Sequence, residues 1–428
     1  MLTKKTIMKR KILFHYKYAL VFYTAIFAAL SIHWVDKVPV LKNGTYQFNI
    51  IRPDGKQIVF NSIVKDSLGK KILYVINGSG RLLVDSIITR KDSVFIQLPF
   101  FESGFNAKLD DNGNLEGVWI KKYGSREQTM PFTAIFNEQK RFPVTTSPSY
   151  NITGRWAVNF KKENNQVSES VGEFTQKGSY FTGTFLLSSG DYGFLEGVVS
   201  GDSLYLSGFD GGNAFLFTAK IEDAHKISGG KFYSGRQGVE EWTAEKDSKA
   251  SLPDGFNFTN VKPNAGKLNF SFPDLDGKKV SINDERYKNK VVVIQILGSW
   301  CPNCMDETKF ISDNYKTYHD KGIEFIGIAY ERTADFETSK KALQPFKQRF
   351  NLQYPILIPG VSVSDTLRTE KTLPQIEKIV AFPTTIFIDK KGEIRKIHSG
   401  FDGPATGIHY TIFKKEFDEI TNELLGEK

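Results

Sequence analysis

Residues 291–304 read Val-Val-Val-Ile-Gln-Ile-Leu-Gly-Ser-Trp-Cys-Pro-Asn-Cys, and this stretch decides the architecture of the C-terminal part of the chain. Val291–Leu297 is almost wholly apolar and rich in β-branched residues, the pattern of a strand buried on both faces. Cys301 and Cys304 follow at once. Beyond them Phe310, Ile311, Tyr315 and Tyr318 fall at spacings that share one helix face. A Cys-x-x-Cys between a buried strand and a helix has a specific chemical use. At the helix N-terminus, unpaired backbone N–H groups and the positive end of the dipole favour the thiolate of the first cysteine. The second, one turn further on, can resolve a mixed disulfide. Pro302 suits the first helical turn, where its missing N–H leaves no bond unmade.

Working outward, Ile323–Ile328 reads as a strand, Asp335–Phe350 as a helix and Tyr354–Ile358 as a further strand. A hairpin follows (Thr384–Ile388 and Ile394–His398), and a helix closes the chain from about Tyr410. A smaller hairpin around Asp276-Gly277 precedes the buried strand. Strand–helix–strand and then an antiparallel hairpin predicts an α/β sandwich over residues 264–428. Cys301 and Cys304 are the only two cysteines in the chain, too few and too close for a disulfide framework. A zinc site would need four ligands. Beyond the N-terminal segment the histidines are His225, His319, His398 and His409, none at paired ligand spacing, so no metal is expected. No nicotinamide or flavin motif is present, and no cofactor is expected.

Residues 264–428 resemble the membrane-anchored thioredoxin-like disulfide reductases of the TlpA/ResA type. The resemblance lies in Trp300-Cys301-Pro302-Asn303-Cys304 after a buried strand, Glu307 three residues beyond the second cysteine, and Phe382-Pro383-Thr384-Thr385 before a strand. It implies that Pro383 is cis and faces the cysteine pair, limiting metal capture and presenting neighbouring backbone to an extended substrate strand. Trp300, Pro302, Phe382 and Thr384 are then expected to bind substrate. It also implies a buried Glu307 that tunes the thiols and shuttles protons. The helical i to i+3 spacing sets Glu307 near Cys304, and burial there would raise its pKa. The alternative is a carboxylate facing solvent, like its neighbour Asp306. Gln295, six residues before Cys301, is neutral and leaves Glu307 the better proton acceptor. Asn303 carries no charge, so the pair is expected to be less oxidising than one with a histidine in this turn. Two departures stand out. Cys301 and Pro383 are 82 residues apart, which reads as a helical insertion at about 362–379, and the N-terminal half has no counterpart in the minimal reductases.

That half, residues 40–246, alternates with a period of two and is punctuated by Asp54-Gly55, Asn77-Gly78, Asn112-Gly113 and Asp210-Gly211. It is also duplicated. An offset of 110 relates Gly44 to Gly154, Asp92-Ser93 to Asp202-Ser203 and Phe105 to Phe215; a further shift of three aligns Gly117-Val118-Trp119 with Gly230-Lys231-Phe232. The expectation is two all-β repeats, 38–146 and 147–246, closed as barrels or packed as a sandwich because open strand edges invite aggregation. Residues 247–263 then form a linker. Trp119, Trp156, Phe181, Tyr205 and Phe215 are expected in the cores.

The formal charge of +9 is unevenly placed, since residues 1–17 alone carry +6 and the remaining 411 residues share +3. A nucleic-acid partner would need positive charge clustered on the folded body and is not expected. Tyr18–Val35 is an uncharged run of 18 residues. As a helix it would span about 27 Å, close to the thickness of a bilayer core. With the basic flank held inside, residues 1–37 read as a transmembrane signal-anchor to the inner membrane and the body as periplasmic. A cleaved signal peptide is the competing reading. The expected function is an exported thiol-disulfide oxidoreductase that reduces disulfides of extracytoplasmic proteins and draws electrons from a membrane donor. The alternatives are a thiol peroxidase of the same superfamily, or a partner- or ligand-binding protein with an accessory redox domain.

Overall fold

The computed structural model describes residues 39–123 and 126–427. The basic flank and apolar segment read as a membrane anchor lie outside the described residues. Among the described residues no helix is long and apolar enough to cross a membrane.

The first β unit is an antiparallel meander of β1 (Gly44–Ile51), β2 (Gln57–Ser67), β3 (Lys70–Asn77), β4 (Gly80–Val84), β5 (Ser86–Arg90), β6 (Ser93–Gln97), β7 (Ser103–Leu109), β8 (Leu115–Tyr123) and β9 (Arg126–Phe136). β9 returns to pair with β1, and the two edge strands β4 and β5 are joined through Asp85 alone, so the sheet curls into a barrel. The second unit repeats this order with β10 (Gly154–Lys161), β11 (Val167–Lys177), β12 (Tyr180–Leu187), β13 (Gly190–Asp191), β14 (Leu195–Ser200), β15 (Ser203–Phe209), β16 (Ala214–Ile221), β17 (Lys226–Ser234) and β18 (Gly238–Lys246). Here the ring closes by hydrogen bonding, because β10 pairs with β18 while β11 and β14 both pair with β12. Of barrel and sandwich, the chain forms barrels, and in the second the ring of strand pairings leaves no open edge between β11 and β14.

The duplication extends to individual bonds. Gly44 and Gly154 open their barrels at φ of 141° and 130°. The N–H of Leu109 donates to Asp92 O and that of Ile221 to Asp202 O, both at 2.7 Å. Lys108–Asp92 and Lys220–Asp202 are ion pairs at 2.9 and 3.8 Å beside these corners. Trp119, Trp156 and Phe181 are core residues as expected, and Phe215 packs at the edge of the second core. Tyr205 does not join them. It is 37% exposed, because Leu204 and Leu206 take the inward positions of β15 and alternation turns Tyr205 outward onto Phe142. The barrels share an apolar seam in which Phe60 stacks on Phe209 with centroids 4.3 Å apart. Beside it the buried Arg141 donates to Ser207 O at 3.0 Å and to Ile76 O, and pairs with Glu196 at 3.7 Å.

The C-terminal domain opens with the hairpin β19 (Ser271–Pro273) and β20 (Lys279–Ser281). It continues as β21 (Val291–Leu297), α1 (Pro302–His319), β22 (Ile323–Ala329), α2 (Phe336–Arg349), β23 (Ile356–Leu357), α3 (Arg368–Thr372), β24 (Thr384–Ile388), β25 (Ile394–Ser399) and α4 (Ile408–Gly426). The sheet order is β23-β22-β21-β24-β25, with β21, β22 and β23 parallel and β24 and β25 antiparallel. All seven residues of β21 are buried, as its unbroken apolar run requires. The stretch read as a helical insertion is helical only over Arg368–Thr372. Its serines and Asp365 build turns instead, and Arg368 holds the segment down by donating to Ile379 O at 2.8 Å. Within residues 247–263, Thr259 Oγ1 lies 3.0 Å from Lys378 O and 2.8 Å from Ser399 Oγ, so this stretch is packed on the C-terminal domain.

Candidate active site

Cys301 is the N-cap of α1. Its backbone is extended (φ −106°, ψ 113°), and its Sγ accepts the N–H of Cys304 at 3.2 Å. A sulfur that receives a helix N-terminal N–H is held where negative charge is favoured. Pro302 occupies the first helical position, so the turn wastes no donor. Both thiols are unbridged and buried. Burial drives the Cys304 pKa well above its ordinary value, and the neighbouring Cys301 adds to the effect. The Phe382–Pro383 peptide bond is cis, as the resemblance implied. Phe382 O lies 3.5 Å from Cys301 Sγ.

Glu307 is completely buried and does not face solvent. Its Oε2 accepts from Gln295 Nε2 at 2.8 Å and its Oε1 from the Thr385 hydroxyl. Gln295 is itself oriented, since its Oε1 accepts from Thr308 Oγ1 at 3.0 Å. Burial pushes the Glu307 pKa up to about 7 against the opposing pull of these two donors. Its charge in turn raises the Cys304 pKa further. A carboxyl poised near neutrality beside a buried thiol can accept that thiol's proton.

Of the residues expected to bind substrate, Trp300 and Phe382 stand together, with ring centroids 5.3 Å apart at 61°. The Trp300 indole donates to Tyr330 O at 2.8 Å and has the Arg332 guanidinium 5.4 Å from its ring centre. Gly298 is required beneath it, because a Cβ there would lie 2.3 Å from the indole nitrogen. Thr384 is fully buried, and its hydroxyl donates inward to Ala381 O at 2.9 Å.

The second barrel also enters the site, which no local motif signalled. With its oxygen and nitrogen facing complementary groups, the Asn303 amide donates to Asp191 O and accepts from Asp191 N, both at 3.1 Å. Gly190 (φ +138°) fits against it only as glycine, since a Cβ would sit 1.9 Å from the terminal atom of the Asn303 amide. The Asp191 carboxylate accepts Gly403 N–H at 2.8 Å, and burial raises its pKa to about 6. Asp306 lies across from it, with both carboxylates about 3 Å from where a Gly403 Cβ would be. Asp306 is thus no ordinary surface carboxylate. Lost solvation and the charges of Asp191 and Asp210 push its pKa up to about 8. The pairing of Gly190-Asp191 with Asn303 follows only from how the domains pack.

Fold and site together define a thioredoxin-like thiol-disulfide oxidoreductase domain, similar to those of the ResA type. Residues 266–397 match the family described as AhpC/TSA. The chain is 29% identical over 146 residues to the thiol-disulfide oxidoreductase ResA of Bacillus thuringiensis subsp. konkukian, covering 34% of this chain and 75% of that one. It is 28% identical over 131 residues to ResA of Geobacillus thermodenitrificans, covering 31% and 66%. Among solved structures it aligns with a thiol-disulfide oxidoreductase from Bacteroides fragilis at 21% identity and a TM-score of 0.27, over 37% of this chain and 99% of that one.

Proposed function

We propose that the protein is an exported thiol-disulfide oxidoreductase that reduces disulfides of extracytoplasmic proteins through Cys301 and Cys304. The observation that carries this reading is the placement of Cys301 Sγ on the N–H of Cys304 with a buried Glu307 behind the second thiol. The Cys301 thiolate attacks one sulfur of the client disulfide. A Cys301–client bond forms, and the other client sulfur leaves as a thiolate. Glu307 accepts the Cys304 proton, and the resulting thiolate attacks Cys301 Sγ. The Cys301–Cys304 disulfide closes, the client leaves as a dithiol, and two electrons have passed to it. Phe382 O lies against the sulfur, and Phe382, Pro383 and Trp300 would orient the client strand, with Pro302 and Thr384 shaping the turns behind them. Regeneration needs two electrons from outside. A membrane donor at the inner membrane, with residues 1–37 as anchor and the body in the periplasm, fits the basic flank and apolar run of the sequence. In this reading residues 38–146 and 147–246 are the two β repeats, 247–263 the connection and 264–428 the redox domain.

The midpoint potential of the Cys301/Cys304 couple tests the direction of flux. A value near or below about −270 mV supports a reductase, whereas one between about −180 and −120 mV marks an oxidant or isomerase and overturns the assignment. The AhpC/TSA match keeps peroxide reduction as a second reading. It requires a peroxidatic thiol in a different loop pattern, whereas Cys301 lies in Trp-Cys-x-x-Cys. Turnover of hydrogen peroxide faster than of a protein disulfide would favour it.

A further inference from the structure

A cavity of about 450 Å³ lies between the first barrel and the C-terminal domain, one residue away from Cys301. Its barrel wall is the Leu98–Glu102 loop and its other wall runs from Ser299 and Trp300 to α2. The loop is seated firmly, because Phe100 stacks on Phe350 at 5.5 Å and the Arg349 guanidinium donates to Leu83 O at 2.8 Å. The floor is apolar: Phe101, Trp300, Ala342 and Phe346 line it. The mouth is different. Lys122 and Lys341 are exposed there with Glu102 beside them, while Arg332 lies over Trp300 and interacts with Glu331. The other two acids are engaged, Asp85 with Arg349 at 3.2 Å and Glu331 with the N–H and hydroxyl of Ser299 at 2.8 Å each.

Approach to Cys301 is restricted on the far side. The second barrel's Gly190-Asp191 closes on Asn303 and Gly403, and Phe382 O touches the sulfur. Trp300 is the wall shared by the redox turn and the cavity. A chain threading toward Cys301 past Trp300 would therefore lay its neighbouring side chains into this cavity.

We propose that the cleft between the Leu98–Glu102 loop and α2 is a client-binding subsite that takes an extended polypeptide by an aromatic side chain next to its cysteine, with an acidic residue beside it at the cationic mouth. This rests on the disulfide-reductase reading and specifies its substrate class. The volume suits one large side chain with its flanking backbone, and the floor rewards apolar burial. The first barrel thereby becomes part of the substrate site. A folded protein with a recessed disulfide does not fit, because the approach lies between two domains.

The test uses the full chain and two disulfide-bonded peptides of equal length, one with Trp-Asp and one with Ala-Ser beside the cysteine, together with 5,5′-dithiobis(2-nitrobenzoic acid). Wild type is expected to favour the Trp-Asp peptide by about 10-fold or more in kcat/KM, and less so in 0.5 M salt. Ala342→Trp, which fills the floor, abolishes the preference. The exposed double variant Lys122→Glu/Lys341→Glu, which leaves the core untouched, removes its salt-sensitive part. Equal kcat/KM for both peptides in wild type, or a preference that survives in both variants, overturns the proposal. Wild type that reduces neither the peptides nor the small disulfide removes the reductase reading, and the proposal with it.

Discussion

Gln295 and Thr385 face each other across the β21–β24 ladder, and each donates to a different oxygen of the Glu307 carboxylate. The carboxylate on α1 is thus pinned to the two central strands directly behind the redox turn. Two donors lower a carboxyl pKa and burial raises it; here burial wins, and Glu307 titrates near about 7. The pair also ties the cis-Pro383 loop, through Thr385 two residues on, to the helix that carries both cysteines.

Replacing Glu307 by Gln removes the proton acceptor while keeping the volume. Resolution of the mixed disulfide is expected to slow by about 100-fold or more, and its rate should lose the rise that wild type shows through about pH 7. Rapid-mixing kinetics with a chromogenic disulfide separates this from the first attack. An unchanged pH profile would remove Glu307 from the reaction.

Stability should move in the opposite direction. The folded-state pKa of Glu307 is raised from its ordinary value of 4.5 to about 7, so the folded state holds a proton that the unfolded chain has released. Its contribution is full below about pH 4.5 and is lost as pH rises through about 7. By linkage this amounts to about 3 kcal/mol at pH 8. Glu307→Gln should therefore narrow the gap between the urea midpoints at pH 5 and pH 8, with the buried Asp306 and Asp191 supplying the rest.

The two cysteines should separate cleanly. Cys304→Ser is expected to accumulate a covalent client adduct on Cys301, visible on non-reducing gels and by mass spectrometry, because nothing resolves it. Cys301→Ser should abolish turnover with no adduct, since Cys304 is buried and its pKa stands well above the usual thiol range.

Gly190→Val forces a side chain into Asn303, whose amide group is 1.9 Å from the new Cβ, at a φ of +138°. The hairpin must lift from the redox turn. Alkylation of Cys301 by iodoacetamide should become several-fold faster, with lowered thermal stability. No change in alkylation rate would mean that the barrel does not shield the sulfur.

Arg141 is the buried cation between the barrels, and burial lowers its pKa despite Glu196. Arg141→Ala strands that carboxylate and several carbonyls. The expected loss is about 3–5 kcal/mol, read from urea unfolding, with little change in the reactivity of Cys301.

Much of this was legible in local chemistry. The β21 strand, the cysteine turn and the barrel repeats each follow from patterns within about ten residues, where periodicity, turn residues and helix spacing act directly. The buried role of Glu307 came from a resemblance, since spacing alone also allowed a surface carboxylate. Tyr205 departs from its expected core position because alternation does not say which face an aromatic takes until the register is set. The insertion is mostly turns, because serine turns and side-chain anchors prevail there over helix propensity.

Local patterning is enough to locate the redox turn, the strand and helix that frame it, and the doubling of the β half. Packing alone makes Gln295 and Thr385 share one carboxylate, closes Gly190 and Asp191 on Asn303, and sets the Leu98–Glu102 loop as the wall of a cavity beside Trp300. The reason is physical. Propensity and patterning act over a few residues, whereas burial, pKa and access to a sulfur are set by groups distant in the chain that only packing brings within bonding distance.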